Sequence, residues 1–346
     1  MSFVLSCFFF LAGCAGLGHQ VVLPSAAHRP ELHLIPDVPP VAQESYQCGP
    51  ASLESVFHRW GENRSAHAIA PELMLPGERG VLNFMLARYA RDRGYWTEVH
   101  HAGEGDLKSW IRRDIPPIVM LRVGPRLVPD YHFVVLRGFD DKEKIYYANI
   151  GKGETYAIRY RDFHERWMDA HAWVLIVCPP ERVDWDLSAE NASELALLLE
   201  GRGKWALAEN WYGQVLQKEP GNAMIRYNLG NLYLKTERWD EAEALFKDLA
   251  SSRPDWASVH NNLAWIYLEK GLPGEAIGVI ERAFDEGAER RPDILDTLAQ
   301  AHCASGLPLE AKRLFEEALE KISPSEKELL RLIQDHERSC AENVRT

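Results

Sequence analysis

Gln43-Glu44-Ser45-Tyr46-Gln47-Cys48-Gly49-Pro50-Ala51 is the stretch from which the first half of this chain can be read. The residues after it, Ser52 to Trp60, have the pattern of a helix, so Cys48 stands just before a helix with Pro50 suited to its first position. A thiol there faces the positive end of the helix dipole, which favours thiolate. Gln43 lies five residues upstream, near enough to fold back and donate its amide to a developing oxyanion beside the Cys48 N–H. A lone Cys ahead of a helix is more often a buried apolar residue than a nucleophile. What changes the reading is a base, and the chain supplies one downstream.

That base is His132, in Tyr131-His132-Phe133-Val134-Val135-Leu136. The apolar runs Ile118–Leu121, Phe133–Leu136, Ile145–Ala148 and Trp173–Val177 read as strands. Val81 to Arg93 and Asp106 to Arg113 read as further helices. Helices first and an antiparallel sheet after them give an α+β domain over residues 34–180. Gly138 to Glu143 would join the His132 strand to the next one, which ends at Ala148-Asn149-Ile150-Gly151. With the turn centred between Asp140 and Asp141, His132 and Asn149 stand directly opposite and project to one face. Asn149 is then expected to orient the imidazole while His132 activates Cys48. Asp140 and Asp141 fall at the far tip of this hairpin, and Asp130 precedes the strand in a loop.

The Gln43, Cys48-Gly49-Pro50-Ala51 and His132-Phe133-Val134-Val135 motifs, followed by a short strand ending in a polar residue, resemble the peptidase C39 family of papain-like cysteine peptidases. The resemblance covers roughly residues 34 to 180. It implies an α+β papain-like fold, with Cys48 as nucleophile, His132 as general base, Gln43 as oxyanion-hole donor and Asn149 as the third member. The family usually has Asp where Asn149 stands. Transporter-linked members trim leader peptides inside an export ATPase. This chain carries no G-x-x-x-x-G-K-[ST] phosphate loop, so the resemblance implies the chemistry and not that substrate.

After residue 189 the pattern becomes periodic. Leu229-Gly230, Tyr233, Ala242, Phe246 and Pro254 recur thirty-four residues on as Leu263-Ala264, Tyr267, Ala276 and Ile280. They recur thirty-four residues earlier as Leu195-Ala196, Leu199, Ala208, Tyr212 and Pro220. A fourth copy, shifted by one inserted residue, reads Leu298-Ala299, His302, Ala311, Phe315 and Ala318. This period and these residue types look like tetratricopeptide repeats. The expected organisation is a linker over 181–188, an all-α solenoid of four repeats over 189–325, and a polar capping helix over 326–340. Such a stack curves into a groove for a peptide or a partner protein, or else buttresses the first domain. Asn228, Asn231, Asn261 and Asn262 lie on first helices of the repeats, where side chains could bond a peptide backbone. Trp205, Trp211, Trp239, Trp256 and Trp265 fall mostly at helix-packing positions.

The N-terminus bears on compartment. Ser2 to Leu11 is nearly all apolar and runs into Leu11-Ala12-Gly13-Cys14, which resembles the lipobox of bacterial lipoproteins. That implies a signal peptide over 1–13, lipidation of Cys14, a tether over 14–33, and a membrane-anchored protein facing the periplasm or cell exterior, with Ala15 instead of Asp after the Cys favouring the outer membrane in a diderm bacterium. No Lys or Arg precedes the apolar run. Cys303 and Cys340 could form a disulfide in an oxidising compartment. The cysteine spacing gives no metal signature, His100-His101 lacks a third ligand, and no cofactor is expected.

The net charge is -12. Residues 189–346 hold 19 Lys and Arg against 28 Asp and Glu, with no basic stripe, so a nucleic-acid partner is not expected. Three functions remain open. One is an active lipid-anchored cysteine peptidase whose repeats hold substrate or partner. The others are a retired papain-like domain serving as an adaptor, and an amidase or acyl transferase acting on cell-wall peptides.

Overall fold

The computed structural model describes residues 17–25, 29–44, 46–73, 81–124, 130–323 and 325–343. The proposed signal peptide and Cys14 lie outside the described residues. The chain divides into two compact units, one ending at Trp185 and the other beginning at Asp186.

The first unit starts with two short strands, β1 (His19–Gln20) and β2 (Leu32–Leu34), and three helices, α1 (Cys48–Arg59), α2 (Ala66–Leu73) and α3 (Asn83–Arg91). There follow β3 (Trp96–His101), α4 (Glu104–Arg112), β4 (Ile118–Val123), β5 (Asp130–Asp140), β6 (Ile145–Asn149), β7 (Thr155–Arg159), α5 (Tyr160–Met168) and β8 (Trp173–Cys178). The strands form one sheet in the order β1-β7-β6-β5-β4-β8-β3, with β2 also on β5, and every pairing is antiparallel. β8 is buried along its whole length, as its unbroken apolar run requires. The α+β reading holds.

α1 forms because Ala51, Leu53, Val56 and Phe57 give it one apolar face, all of it buried. Each of the three larger side chains contributes about 2 kcal/mol by leaving water. The helix begins at Cys48, not after it, and Pro50 is its third residue. Proline is tolerated there because first-turn amides have no intrahelical partner to lose. Gly61 ends the turn that follows, at φ +82.

Two expected spacers pack instead. Within the 14–33 stretch, Leu17 is buried, β1 pairs with β7, and β2 pairs with β5. Gly18, at φ +130, lies so close to β7 that a Cβ would meet the Ala157 carbonyl oxygen. Within the 181–188 stretch, Pro180–Arg182 make a 3-10 turn and Trp185 Nε1 donates to Glu98 Oε1 at 3.1 Å. In both cases buried apolar or aromatic groups hold segments that looked short and polar.

Among the described residues the second unit is a run of nine helices. α6 (Ala189–Gly201) and α7 (Trp205–Lys218), α8 (Ala223–Lys235) and α9 (Trp239–Ser252), α10 (Ala257–Glu269) and α11 (Pro273–Asp285), and α12 (Pro292–Ala304) and α13 (Pro308–Lys321) form four successive pairs. α14 (Lys327–Asn343) follows them. The repeated small residue is where paired helices touch: a Cβ on Gly230 would come within 2.7 Å of Phe246 Cζ. Ala264 and Ala299, at the equivalent positions, are fully buried. α14 is more than a polar cap. Ile333 and Cys340 enter the core made by Leu295, Ala299 and Phe315, and Cys340 is disulfide-bonded to Cys303 of α12.

Candidate active site

β6 ends at Asn149 and its last pairing is with Val135, so residues 130–134 of β5 carry β4 on one side only among the described residues. The first turn of α1 occupies that open edge. Cys48 sits beside the Phe133 backbone amide, one residue from His132. The Cys48 thiol is pushed up from its ordinary value of 9.0, because burial outweighs the Phe133, Gly49 and Cys48 amides that pull it down; Asp130 adds to the rise. The expected thiolate is therefore a thiol at rest. Desolvation of the ion exceeds what one helix end and three amides supply.

His132 is buried, and its Nε2 lies 3.0 Å from the Ile150 carbonyl oxygen. A carbonyl only accepts, so Nε2 carries the proton and Nδ1 is the basic nitrogen. Burial pulls the imidazole below its ordinary 6.5, against the Ile150 carbonyl and Asp130, which raise it. Both groups are thus neutral near pH 7. No hydrogen bond joins Cys48 to His132 among the described residues.

Asn149 is not brought to His132. The connecting turn spans Asp141 to Lys144, so Asp140 pairs with Ile145, and a bulge between Leu136 and Gly138 then shifts the register. Asn149 consequently faces Val135, three positions from His132, and an odd offset reverses the face of the sheet. The Asn149 amide is fully engaged elsewhere. Its Nδ2 donates to Val38 O at 3.3 Å, Pro39 O at 3.0 Å and Ser55 Oγ at 3.1 Å, while Oδ1 accepts from Thr155 Oγ1 at 3.2 Å. It clamps the 38–39 segment, α1 and β7 together. Asn149→Ala is expected to cost about 2–3 kcal/mol of stability, because buried carbonyls lose their donor. A denaturant midpoint unchanged by this substitution would contradict the clamp.

Gln43 reaches the site. Its backbone N–H donates to Gly151 O at 2.9 Å, and its side chain lies so close to Gly151 that a Cβ there would overlap it. Gln43, Cys48, Ser55, Phe133, Asn149 and Gly151 are among the residues around a cavity of only about 10 Å³. Gln43 Oε1 is buried there without a partner.

Other candidates resolve differently. His100 lies 2.7 Å from Glu98 and His101 bonds the His171 carbonyl. Among the described residues no group of three or more His, Cys, Asp or Glu could hold a metal ion. No helix among them is long and apolar enough to cross a membrane. In the repeats, Asn262 Nδ2 donates to Asn231 Oδ1 at 2.6 Å, so these two asparagines bond each other. Trp205 and Trp265 are partly exposed, unlike the buried Trp211.

The Peptidase_C39 like family matches residues 35–172, the span that holds Gln43, Cys48 and His132. Residues 35–172 are a Peptidase_C39-like domain. Downstream of this C39-like domain, the tetratricopeptide repeat family matches residues 199–266 and the PPR repeat family matches residues 295–321. The C39-like domain is therefore followed by helical repeats of a kind that mediates protein–protein contact. A comparison with curated proteins gives no match. Among solved structures the chain is similar to MamA of MSR-1, at 21% identity over 41% of this chain and 82% of that one, TM-score 0.35. It is similar to PilF of Pseudomonas aeruginosa at 17% identity over 45% and 75%, TM-score 0.37. YrrB, described as a TPR protein with an unusual peptide-binding site, matches at 18% identity over 45% and 82%, TM-score 0.35.

Proposed function

We propose that the chain is a cysteine-nucleophile hydrolase of peptide bonds, with Cys48 and His132 as its reacting pair. The observation that carries this is the lodging of the α1 N-terminus against the open edge of β5, which brings a thiol beside the residue next to a tautomer-fixed histidine. When a substrate carbonyl arrives, the Cys48 proton passes to His132 Nδ1 as the Sγ–C bond forms. The Cys48 N–H and the Gln43 amide receive the charge that develops on the oxygen. The imidazolium then protonates the leaving amine as the C–N bond breaks, and water hydrolyses the thioester. Ile150 acts as a positioning residue through its carbonyl, in the role expected of Asn149.

The repeats bind the substrate or a protein partner in this reading. It also places the protein at a membrane through a lipid on Cys14, facing an oxidising compartment. The Cys303–Cys340 disulfide supports that location, because such bonds persist outside the reducing cytoplasm. The adaptor reading draws support from the missing Cys48–His132 hydrogen bond in the resting chain. A thiol-directed, peptide-like electrophile separates the two. Hydrolase action predicts labelling of Cys48 that is lost in Cys48→Ala and much slowed in His132→Ala. Labelling confined to Cys178, or no faster with His132 than without it, would favour the adaptor.

A further inference from the structure

Asp130 is the first residue of β5, not part of a loop before it, and it pairs with Val123 as His132 pairs with Leu121. Alternate residues of a strand project to one face, so Asp130 and His132 share a face while Tyr131 between them takes the other. Two residues of strand set Asp130 and His132 about 7 Å apart, Cα to Cα. Both lie on the 130–134 stretch that β6 leaves open and that α1 packs against. Cys48 stands there too, beside the Phe133 amide. One exposed carboxylate thus shares an edge with a buried thiol and a buried imidazole.

Both members of the pair respond to that carboxylate. Asp130 pushes the Cys48 thiol up and, against the larger effect of burial, pushes the His132 imidazole up as well. A negative charge does both, because it opposes thiolate and favours imidazolium. Among the described residues no Lys or Arg pairs with Asp130, whose Oδ1 accepts the Tyr131 N–H at 2.9 Å. Lys152, beyond β6, is the other charge that reaches His132, and it pulls the imidazole down. β4 brings Arg122, which pairs with Tyr131 and is held by Asp169 at 2.7 Å. On α1, Glu54, His58 and Arg59 lie in later turns and bond Ala66, Asp37 and Asp114. Asp130 is therefore the charge that thiol and imidazole have in common.

We propose that Asp130 is a positioning residue whose carboxylate keeps Cys48 a thiol at rest and stabilises the imidazolium that His132 becomes when it takes the Cys48 proton. This rests on the hydrolase reading above. Without substrate, ionising the thiol would place a second negative charge on the edge that Asp130 occupies. Attack on a carbonyl removes that obstacle. The sulfur electron pair enters the Sγ–C bond, the negative charge passes to the carbonyl oxygen, and the imidazolium is what remains for Asp130 to stabilise. The carboxylate thus ties ionisation of the pair to the presence of an acyl group.

Asp130→Asn in the full chain tests this, since an amide oxygen can still accept the Tyr131 N–H. Iodoacetamide alkylation of Cys48, mapped by mass at low salt and about pH 7, is expected to rise about threefold, the effect of removing one unit charge about 7 Å away in a water-like surrounding. The His132 Cε1 resonance is expected to titrate at lower pH than in the wild-type chain. Asp130→Glu should keep both readouts near wild type, and Lys152→Gln should move the His132 titration to higher pH. At about 1 M salt, where the screening length falls to about 3 Å, the Asp130→Asn and wild-type alkylation rates should converge. A merely structural loosening would show no such salt dependence and would not lower both titrations together. An unchanged alkylation rate, an unchanged His132 titration, or a thiol and an imidazole that move in opposite directions would overturn the role of Asp130 while leaving the hydrolase reading intact. Failure of iodoacetamide to label Cys48 in every variant would overturn the hydrolase reading and this role with it.

Discussion

Alkylation of Cys48 by iodoacetamide is expected to speed up about a hundredfold between about pH 6 and about pH 8, because the thiolate fraction grows tenfold per unit below the thiol pKa. A preformed thiolate–imidazolium pair would behave otherwise. It would give a plateau across this range, with the thiol depressed and the imidazole raised. Here both shifts run the other way. Burial raises the Cys48 thiol above its ordinary 9.0, and Asp130 pushes it further. Burial also lowers His132 below its ordinary 6.5. Both groups are therefore neutral from below pH 7 to beyond the ordinary thiol value. In the proposed mechanism the Cys48 proton moves to Nδ1 during attack, which His132 can accept only above its own lowered pKa. Turnover should accordingly rise with pH on its acid limb as His132 loses its proton. Site-resolved alkylation rates across this range check the first point. A flat profile would mean that the ion pair exists at rest.

Much of the fold was legible because the strongest sequence signals are those of burial. The runs at Ile118, Phe133, Ile145 and Trp173 all became strands, since a continuous apolar segment is stable only when covered on both faces. The repeats were legible because their period records helix-to-helix contacts that recur, as the Gly230–Phe246 approach shows. β1, β2, β3 and β7 were not foreseen; in β3, Thr97, Glu98, His100 and His101 break up any apolar run. Two or three residues carry no period, and Thr155–Arg159 alternates too briefly to stand out.

The proposed site was half legible for a related reason. Cys48, Gln43 and His132 announce themselves by residue type and context. The carbonyl that holds His132 does not, because a backbone acceptor leaves no trace in the identity of Ile150. The misplacement of Asn149 came from register. A turn over Asp141–Lys144 and one bulge near Arg137 move the pairing by three residues, and no residue in Gly138 to Glu143 signals either. The polar end of β6 was the right place to look. Asn149 clamps α1, and the next residue holds His132.

The second unit should lose about 4 kcal/mol of stability when Cys303–Cys340 is reduced, roughly a thousandfold in its folded-to-unfolded ratio. The two cysteines are 37 residues apart, so the bond removes a long loop's freedom from the unfolded chain. The bond also joins α12 to α14, across the core that Ile333 and Cys340 share with Leu295 and Phe315. Reduction leaves α14 its other attachments to α12 and α13. Ile333 stays buried in the core with Leu295 and Phe315. His336 Nδ1 lies 2.9 Å from Asp296 Oδ2, with Gln300 also donating to that carboxylate. Burial raises the Asp296 carboxyl above its ordinary value, so this contact offsets only part of the loss. α14 should therefore show the earliest gain in amide exchange, before α8 to α11. Cys303→Ser/Cys340→Ser is expected to match the reduced protein and to ignore reductant. The measurement is the denaturant midpoint of the repeat transition, with and without reductant, for both proteins. Equal midpoints in the wild-type chain, or exchange that begins at α6 instead of α14, would show that the bond does not hold α14 in place.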